Sequence, residues 1–112
     1  METVKATTNT VVCTLTDSEK RTRREELRAG VLALITTVRE TEEGFALGFT
    51  PGSLDTLREF VAFESRCCSF MTYTIDDHDN SLTWLRLSGP EGAKDFIRNW
   101  LPAELLHGWR DL

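Results

Sequence analysis

Residues 57–75 read Leu57-Arg58-Glu59-Phe60-Val61-Ala62-Phe63-Glu64-Ser65-Arg66-Cys67-Cys68-Ser69-Phe70-Met71-Thr72-Tyr73-Thr74-Ile75. Two periodicities meet in this stretch. With Leu54 just upstream, Leu57, Phe60, Val61, Glu64, Cys67 and Cys68 follow helical spacing down one face. From Phe70 to Ile75 the aromatic and β-branched run reads as a strand. A helix therefore hands over to a strand, and two adjacent cysteines sit at the junction. Upstream, Pro51-Gly52-Ser53 ends a preceding strand, and Ser53 is placed to N-cap the helix, whose first turn carries Asp55 against the helix dipole. Downstream, Asp76-Asp77-His78-Asp79-Asn80 reads as a polar turn and Leu82 to Leu87 as the hairpin partner. Gly89-Pro90-Glu91-Gly92 then opens a further helix with Ala93, Phe96, Ile97, Trp100 and Leu101 on its apolar side, and Pro102 stops it before the tail, residues 103–112.

The same alternation appears earlier in the chain. Thr16-Asp17-Ser18-Glu19 is a capping box that should start a helix, and the spacing of Leu27, Val31 and Leu34 carries helical periodicity through Gly30. Ile35 to Thr41 reads as a strand, Glu42-Glu43-Gly44 as a turn with glycine available for positive φ, and Phe45 to Phe49 as a strand with one packed face. Residues 1–10 are polar and threonine-rich, so they are expected to be a flexible segment ahead of a single domain over residues 11–112. The predicted class is α+β in the order α-ββα-ββα, an antiparallel sheet of two hairpins with helices on one face. The two halves share an order of elements without a sequence repeat.

Composition narrows the functional classes. A chain of 112 residues, 40% hydrophobic and 28% charged, fits one ordinary globular domain. Its net charge of -5 argues against a broad nucleic-acid footprint. The basic run Lys20-Arg21-Thr22-Arg23-Arg24 is flanked by Glu19, Glu25 and Glu26; at helical spacing Glu19 faces Arg23, which reads as a solvated helix face. The residues after Met1 carry neither a basic leader nor an apolar core of a signal peptide, and no apolar run reaches the length of a membrane span. A cytoplasmic location without membrane partners is the expectation. The three cysteines, an odd number, do not form the framework of a small secreted domain.

Those cysteines are Cys13, in Val11-Val12-Cys13-Thr14-Leu15-Thr16, and the pair Cys67-Cys68. A thioredoxin-type site separates its thiols by two residues and puts the attacking one at a helix N-terminus. Here the thiols are adjacent and fall at a helix C-terminus, where the dipole disfavours a thiolate. A soft metal changes that balance, because coordination deprotonates a thiol outright and thiolate sulfur selects soft ions. Cys67 and Cys68 supply two sulfurs and Cys13 a third, a set suited to Hg(II), As(III) or Cu(I). A closed zinc site would need to recruit Glu64, His78 or His107, and no zinc spacing is present. The plain alternative is that cysteine serves as a small buried hydrophobe. Against it, neighbouring helical residues rarely both point into one core. Glu64, one turn before the pair, either reaches solvent at the edge of the stripe or, if buried, needs a partner such as Arg66 or a bound cation. Asp76, Asp77, His78 and Asp79 are ordinary turn chemistry, and His107, Trp100 and Trp109 are packing or tail residues.

Cys13 to Thr16, the capped charged helix, and the run Leu57 to Phe70 with Glu64-x-x-Cys67-Cys68-x-Phe70 together resemble a group of small bacterial proteins. That group shares a Glu-x-x-Cys-Cys-x-Phe pattern and is found near mercury and other heavy-metal resistance functions. The resemblance covers Cys13 to about Leu101 and implies that Cys13, Cys67 and Cys68 are the functional thiols, framed by Glu64 and Phe70. The leading expectation is capture of a soft metal or metalloid ion, in resistance or sequestration, with no resident cofactor. It requires the fold to bring Cys13 to the pair, since metal–sulfur bonds are about 2.3 Å long. A second expectation is a thiol-dependent lyase or oxidoreductase using Cys67, Cys68 and Glu64. A third is a non-enzymatic module in which the cysteines only pack and the tail, with Trp109, docks a partner or a second subunit as a homodimer.

Overall fold

A computed structural model of the chain describes residues 2–8, 10–11, 16–77 and 82–101. Its elements are β1 (Glu2–Val4), α1 (Asp17–Ala29), a 3-10 turn (Val31–Leu34), β2 (Ile35–Glu40), β3 (Gly44–Phe49), α2 (Leu54–Cys67), β4 (Thr72–Asp76), β5 (Thr83–Ser88) and α3 (Ala93–Trp100). The strands form one five-stranded antiparallel sheet in the order β1-β4-β5-β3-β2. The α+β class and the two ββα units are therefore as the periodicities predict. The hairpins β2–β3 and β4–β5 are joined by their second strands, with Leu47 opposite Leu85 and Phe45 opposite Leu87.

Strand alternation decides what the sheet buries. Val38, Phe45, Leu47, Phe49, Tyr73, Ile75, Leu85 and Leu87 share the inner face, each at most 4% exposed. Against it pack Leu27 of α1, Leu57, Phe60 and Val61 of α2, and Ala93 and Ile97 of α3. Phe70 meets Phe96 edge to face, ring centroids 5.1 Å apart.

Four local readings change. The capping box forms, with the Glu19 amide donating to the Thr16 hydroxyl, but α1 stops at Ala29 instead of running through Gly30. The following residues take a tighter 3-10 turn, in which both Val31 and Leu32 are buried, before the chain extends at Ile35. Ser53 occupies the N-cap position of α2, yet its hydroxyl donates to the Thr50 carbonyl at 2.6 Å and makes no cap bond. All of β3 is buried rather than one face of it, because on the outer side Trp84 and Thr37 close over Gly48, and the Arg39 guanidinium stacks on Trp84 at 4.9 Å.

The fourth concerns the start of the chain. Order is expected from Val11, but Glu2–Val4 already pairs with β4, Glu2 opposite Ile75 and Val4 opposite Tyr73. The outer edge of β4 presents backbone donors and acceptors that need partners, and a Thr-Val step suits a strand. Arg58 of α2 fastens the segment through the Glu2 carboxylate.

Gly44 is required for a different reason from the one its turn suggests. It is the first residue of β3 and has no positive φ; those belong to Gly52 and Gly92. A Cβ at Gly44 would stand 1.9 Å from the Leu87 carbonyl oxygen across the β3–β5 seam. Gly44→Ala is expected to cost about 3 kcal/mol or more by prying that seam apart. Gly52→Ala, strained in φ but with nothing within 4 Å, should cost about 1 kcal/mol. Denaturant midpoints of the two variants check the ranking.

Candidate functional site

The apolar stripe of α2 delivers Glu64, Cys67 and Cys68 to the interior, at 5%, 9% and 4% exposure. Both cysteines are buried, as are the adjacent Phe60 and Val61 two turns earlier on the same stripe, so the expectation that neighbouring helical residues would not share one core does not hold for this face. The helix ends between them. Cys67 is the last helical residue, whereas Cys68 leaves helical geometry at φ -122 and ψ 69 while its amide still donates to the Glu64 carbonyl at 2.7 Å. Position 68, four residues after Glu64, lies on the same stripe as Val61 and Glu64. The Cys68 carbonyl is held in turn by the Tyr73 hydroxyl and the Met71 amide, each at 3.3 Å. Phe70, fully buried, closes the floor beside the pair's connection to β4.

Glu64 does not reach solvent, and Arg66 is not its partner. The Arg66 Nε donates to the Ala62 carbonyl of its own helix. Glu64 is met from α1, where the Arg23 Nε donates to Oε1 at 2.9 Å. The same guanidinium lies 4.2 Å over the Phe63 ring and approaches Glu26 at 3.5 Å. The basic run on α1 is thus not simply a solvated face: Arg23 is only about a quarter exposed, at 23%, and clasps α1 to α2. Spacing within one helix could not find a partner 41 residues away. The available signal was the carboxylate itself, which lies in line with apolar residues and needs a cation from some other element. Burial pushes the Glu64 carboxyl above its ordinary range, and the hydrogen bond and charge of Arg23 offset part of that rise.

The segment before Cys13 is also tied to this region. The Thr7 and Thr8 amides donate to the Ser69 carbonyl at 2.8 and 3.2 Å, and the Ala6 amide donates to the Thr72 hydroxyl at 3.1 Å. Neither anchor was legible from the sequence, because in both the donor is a backbone amide of a residue with no apolar pattern. Cys13, His78, Asp79, His107 and Trp109 lie outside the described residues. Asp76, read as a turn residue, is instead the last residue of β4, opposite Trp84, with exposed Asp77 following it, while Trp100 packs on Phe60 with centroids 5.9 Å apart. Among the described residues, no three Cys, His, Asp or Glu side chains are grouped to hold a metal ion, and no helix is long and apolar enough to cross a membrane. Comparison of the chain with protein-family models, with curated proteins and with solved structures gives no match.

The clasp has a pH signature. The folded state holds the Glu64 proton more tightly than the unfolded chain does, so this group's contribution to stability is largest below the ordinary value of 4.5 and falls as pH rises through the higher folded value. Glu64→Gln should therefore gain stability relative to the parent across that rise and show no such gain below it. Arg23→Met leaves the carboxylate buried without its guanidinium and should cost about 2 kcal/mol at pH 7. Denaturant unfolding of both variants across the acid range checks the two signs.

Proposed function

We propose that the chain captures a soft metal or metalloid ion, Hg(II) first and As(III) or Cu(I) behind it, through the sulfurs of Cys67 and Cys68 with Cys13 as the third ligand. The observation that carries this reading is that the end of α2 brings two adjacent cysteines into the same interior. Binding of Hg(II) by Cys67 and Cys68 releases one proton from each thiol and forms two S–Hg bonds in a neutral complex; a third bond, to Cys13, would release a third proton and leave one negative charge. The neutral two-sulfur complex is the form that the buried pair itself tolerates without a large desolvation cost. The Thr7 and Thr8 bonds to Ser69 support the part given to Cys13, because they anchor the chain next to Cys68 a few residues ahead of it. The Glu-x-x-Cys-Cys-x-Phe pattern, with its association with heavy-metal resistance, points the same way.

One observation favours a second reading, cleavage of an organomercurial. A carboxyl whose proton is held more tightly than usual sits one helical turn before the thiols. As the carbon–mercury bond breaks, that proton would pass to carbon and the metal to the sulfurs.

Anaerobic titration of the reduced protein with Hg(II), Cu(I), As(III) and Zn(II), read by native mass spectrometry, separates these outcomes. One tightly held soft ion per chain is expected, lost in Cys67→Ser/Cys68→Ser and weakened in Cys13→Ser. Affinity no better than that of a small dithiol would overturn the proposal, and release of the hydrocarbon from an organomercurial at more than one turnover would move it to catalysis.

A further inference from the structure

Any ion or reagent that meets Cys67 and Cys68 has to reach side chains that are less than a tenth exposed. Some element bordering the pair must therefore open. On one side stands α2, which carries Leu57, Phe60 and Val61 into the core. On another stands β4, paired along both of its edges with β1 and β5. Neither can move without breaking the core.

The segment Glu2–Thr8 differs from both. Its strand is three residues long, has one described neighbour, and exposes every side chain, Val4 included at 42%. It runs along β4 and finishes across the link from α2 to β4: the Ala6 amide sits on the Thr72 hydroxyl, and the Thr7 and Thr8 amides share the Ser69 carbonyl. Ser69 is the residue after Cys68. At its other end the segment is latched by Arg58, whose guanidinium grips both oxygens of the exposed Glu2 carboxylate and also reaches Asp55. Between latch and sheet lies a small apolar hollow lined by Val4, Val61, Ala62, Tyr73 and Ile75, so the segment bridges α2 and β4 without filling the space beneath it.

Segments with little buried apolar surface and solvent-exposed hydrogen bonds open at far lower free energy than the core around them. We propose that Glu2–Thr8 is a strap that gates access to the Cys67-Cys68 pair, with the Arg58–Glu2 contact as its latch. When the strap lifts, the link Ser69–Met71 loses the amides that hold it from outside. The bonds that Met71 and Tyr73 make to the Cys68 carbonyl do not involve the strap, so what loosens first is Ser69, the residue next to Cys68. The gate serves the ion-binding reading, but it acts on the thiols themselves and can be tested without any metal. The latch is exposed and ionic, so added salt should loosen it.

The test is alkylation of Cys67 and Cys68 by N-ethylmaleimide, an uncharged reagent, followed by mass spectrometry in a Cys13→Ser background. Arg58→Ala and Glu2→Gln are each expected to label about three- to fivefold faster than the parent, and a chain lacking residues 1–8 about tenfold faster or more. Denaturant midpoints should change far less than these rates. Salt should bring the parent toward the Arg58→Ala rate. Arg98→Ala, whose ion pairs are to Asp95 and Glu40 on the far side of the fold, should label like the parent. The strap is overturned if the deletion labels at the parental rate, or if Arg98→Ala accelerates labelling as much as Arg58→Ala does. Should the deletion fail to fold, the two latch variants decide in the same way. Unchanged labelling with intact Hg(II) binding removes the gate alone, and faster labelling without Hg(II) binding removes the ion-binding reading alone.

Discussion

The pairing of β3 with β5 is the contact on which the other contacts depend. Each hairpin alone is a two-stranded ribbon, which is marginal in water. Joined through their second strands, the hairpins present one continuous inner face, and that face is the surface on which all three helices deposit their apolar residues. The join is close. Gly44 and the Leu87 carbonyl leave no room for a side chain between them, and Gly48 lies beneath Thr37 and Trp84. Glycines in a strand usually weaken it; here they are what lets two hairpins and an aromatic lid approach within contact distance.

The charged interior of the molecule is organised by one carboxylate. Glu64 would be an uncompensated charge in the stripe of α2, and Arg23 supplies the compensation from a helix that otherwise contributes little to the core beyond Leu27. The pair therefore does for α1 what apolar contacts do for α2 and α3: it fixes where the helix lies. Such pairs contribute more to orientation than to net stability, since desolvation takes back much of the attraction. The orientation matters because Glu64, through its own carbonyl, also receives the amide of Cys68. One residue thus joins the helix clasp to the turn that carries the thiols.

Much of this was readable in the sequence because it follows from periodicity. The stripe from Leu57 to Cys67, the alternation in Thr83 to Ser88 and the capping box at Thr16 each obey a local rule, and each element appears where the rule puts it. What was not readable has a common cause. Arg23 finds Glu64, Arg58 finds Glu2, and Val4 finds Tyr73 across separations that no local pattern encodes. The burial of both cysteines was misjudged for a different reason. A buried helix face is wide enough to take two neighbours at once, as Phe60 and Val61 show within the same helix, and Cys67 and Cys68 repeat that pair two turns on. The stripe that places Phe60, Val61 and Glu64 inside places the pair there too.

The pairing of β1 with β4 also bears on the order in which the chain can assemble. Glu2 is opposite Ile75, so the segment waits for a strand that lies more than 70 residues further along the chain. Contacts of such separation are entropically late, whereas the hairpins and helices between them close over short loops. During synthesis the inner face, the helix clasp and the turn at Cys68 can all form while Glu2–Thr8 is still unplaced. The segment is then among the last parts of the fold to dock, closing the outer edge of β4 only after everything it rests on is in place.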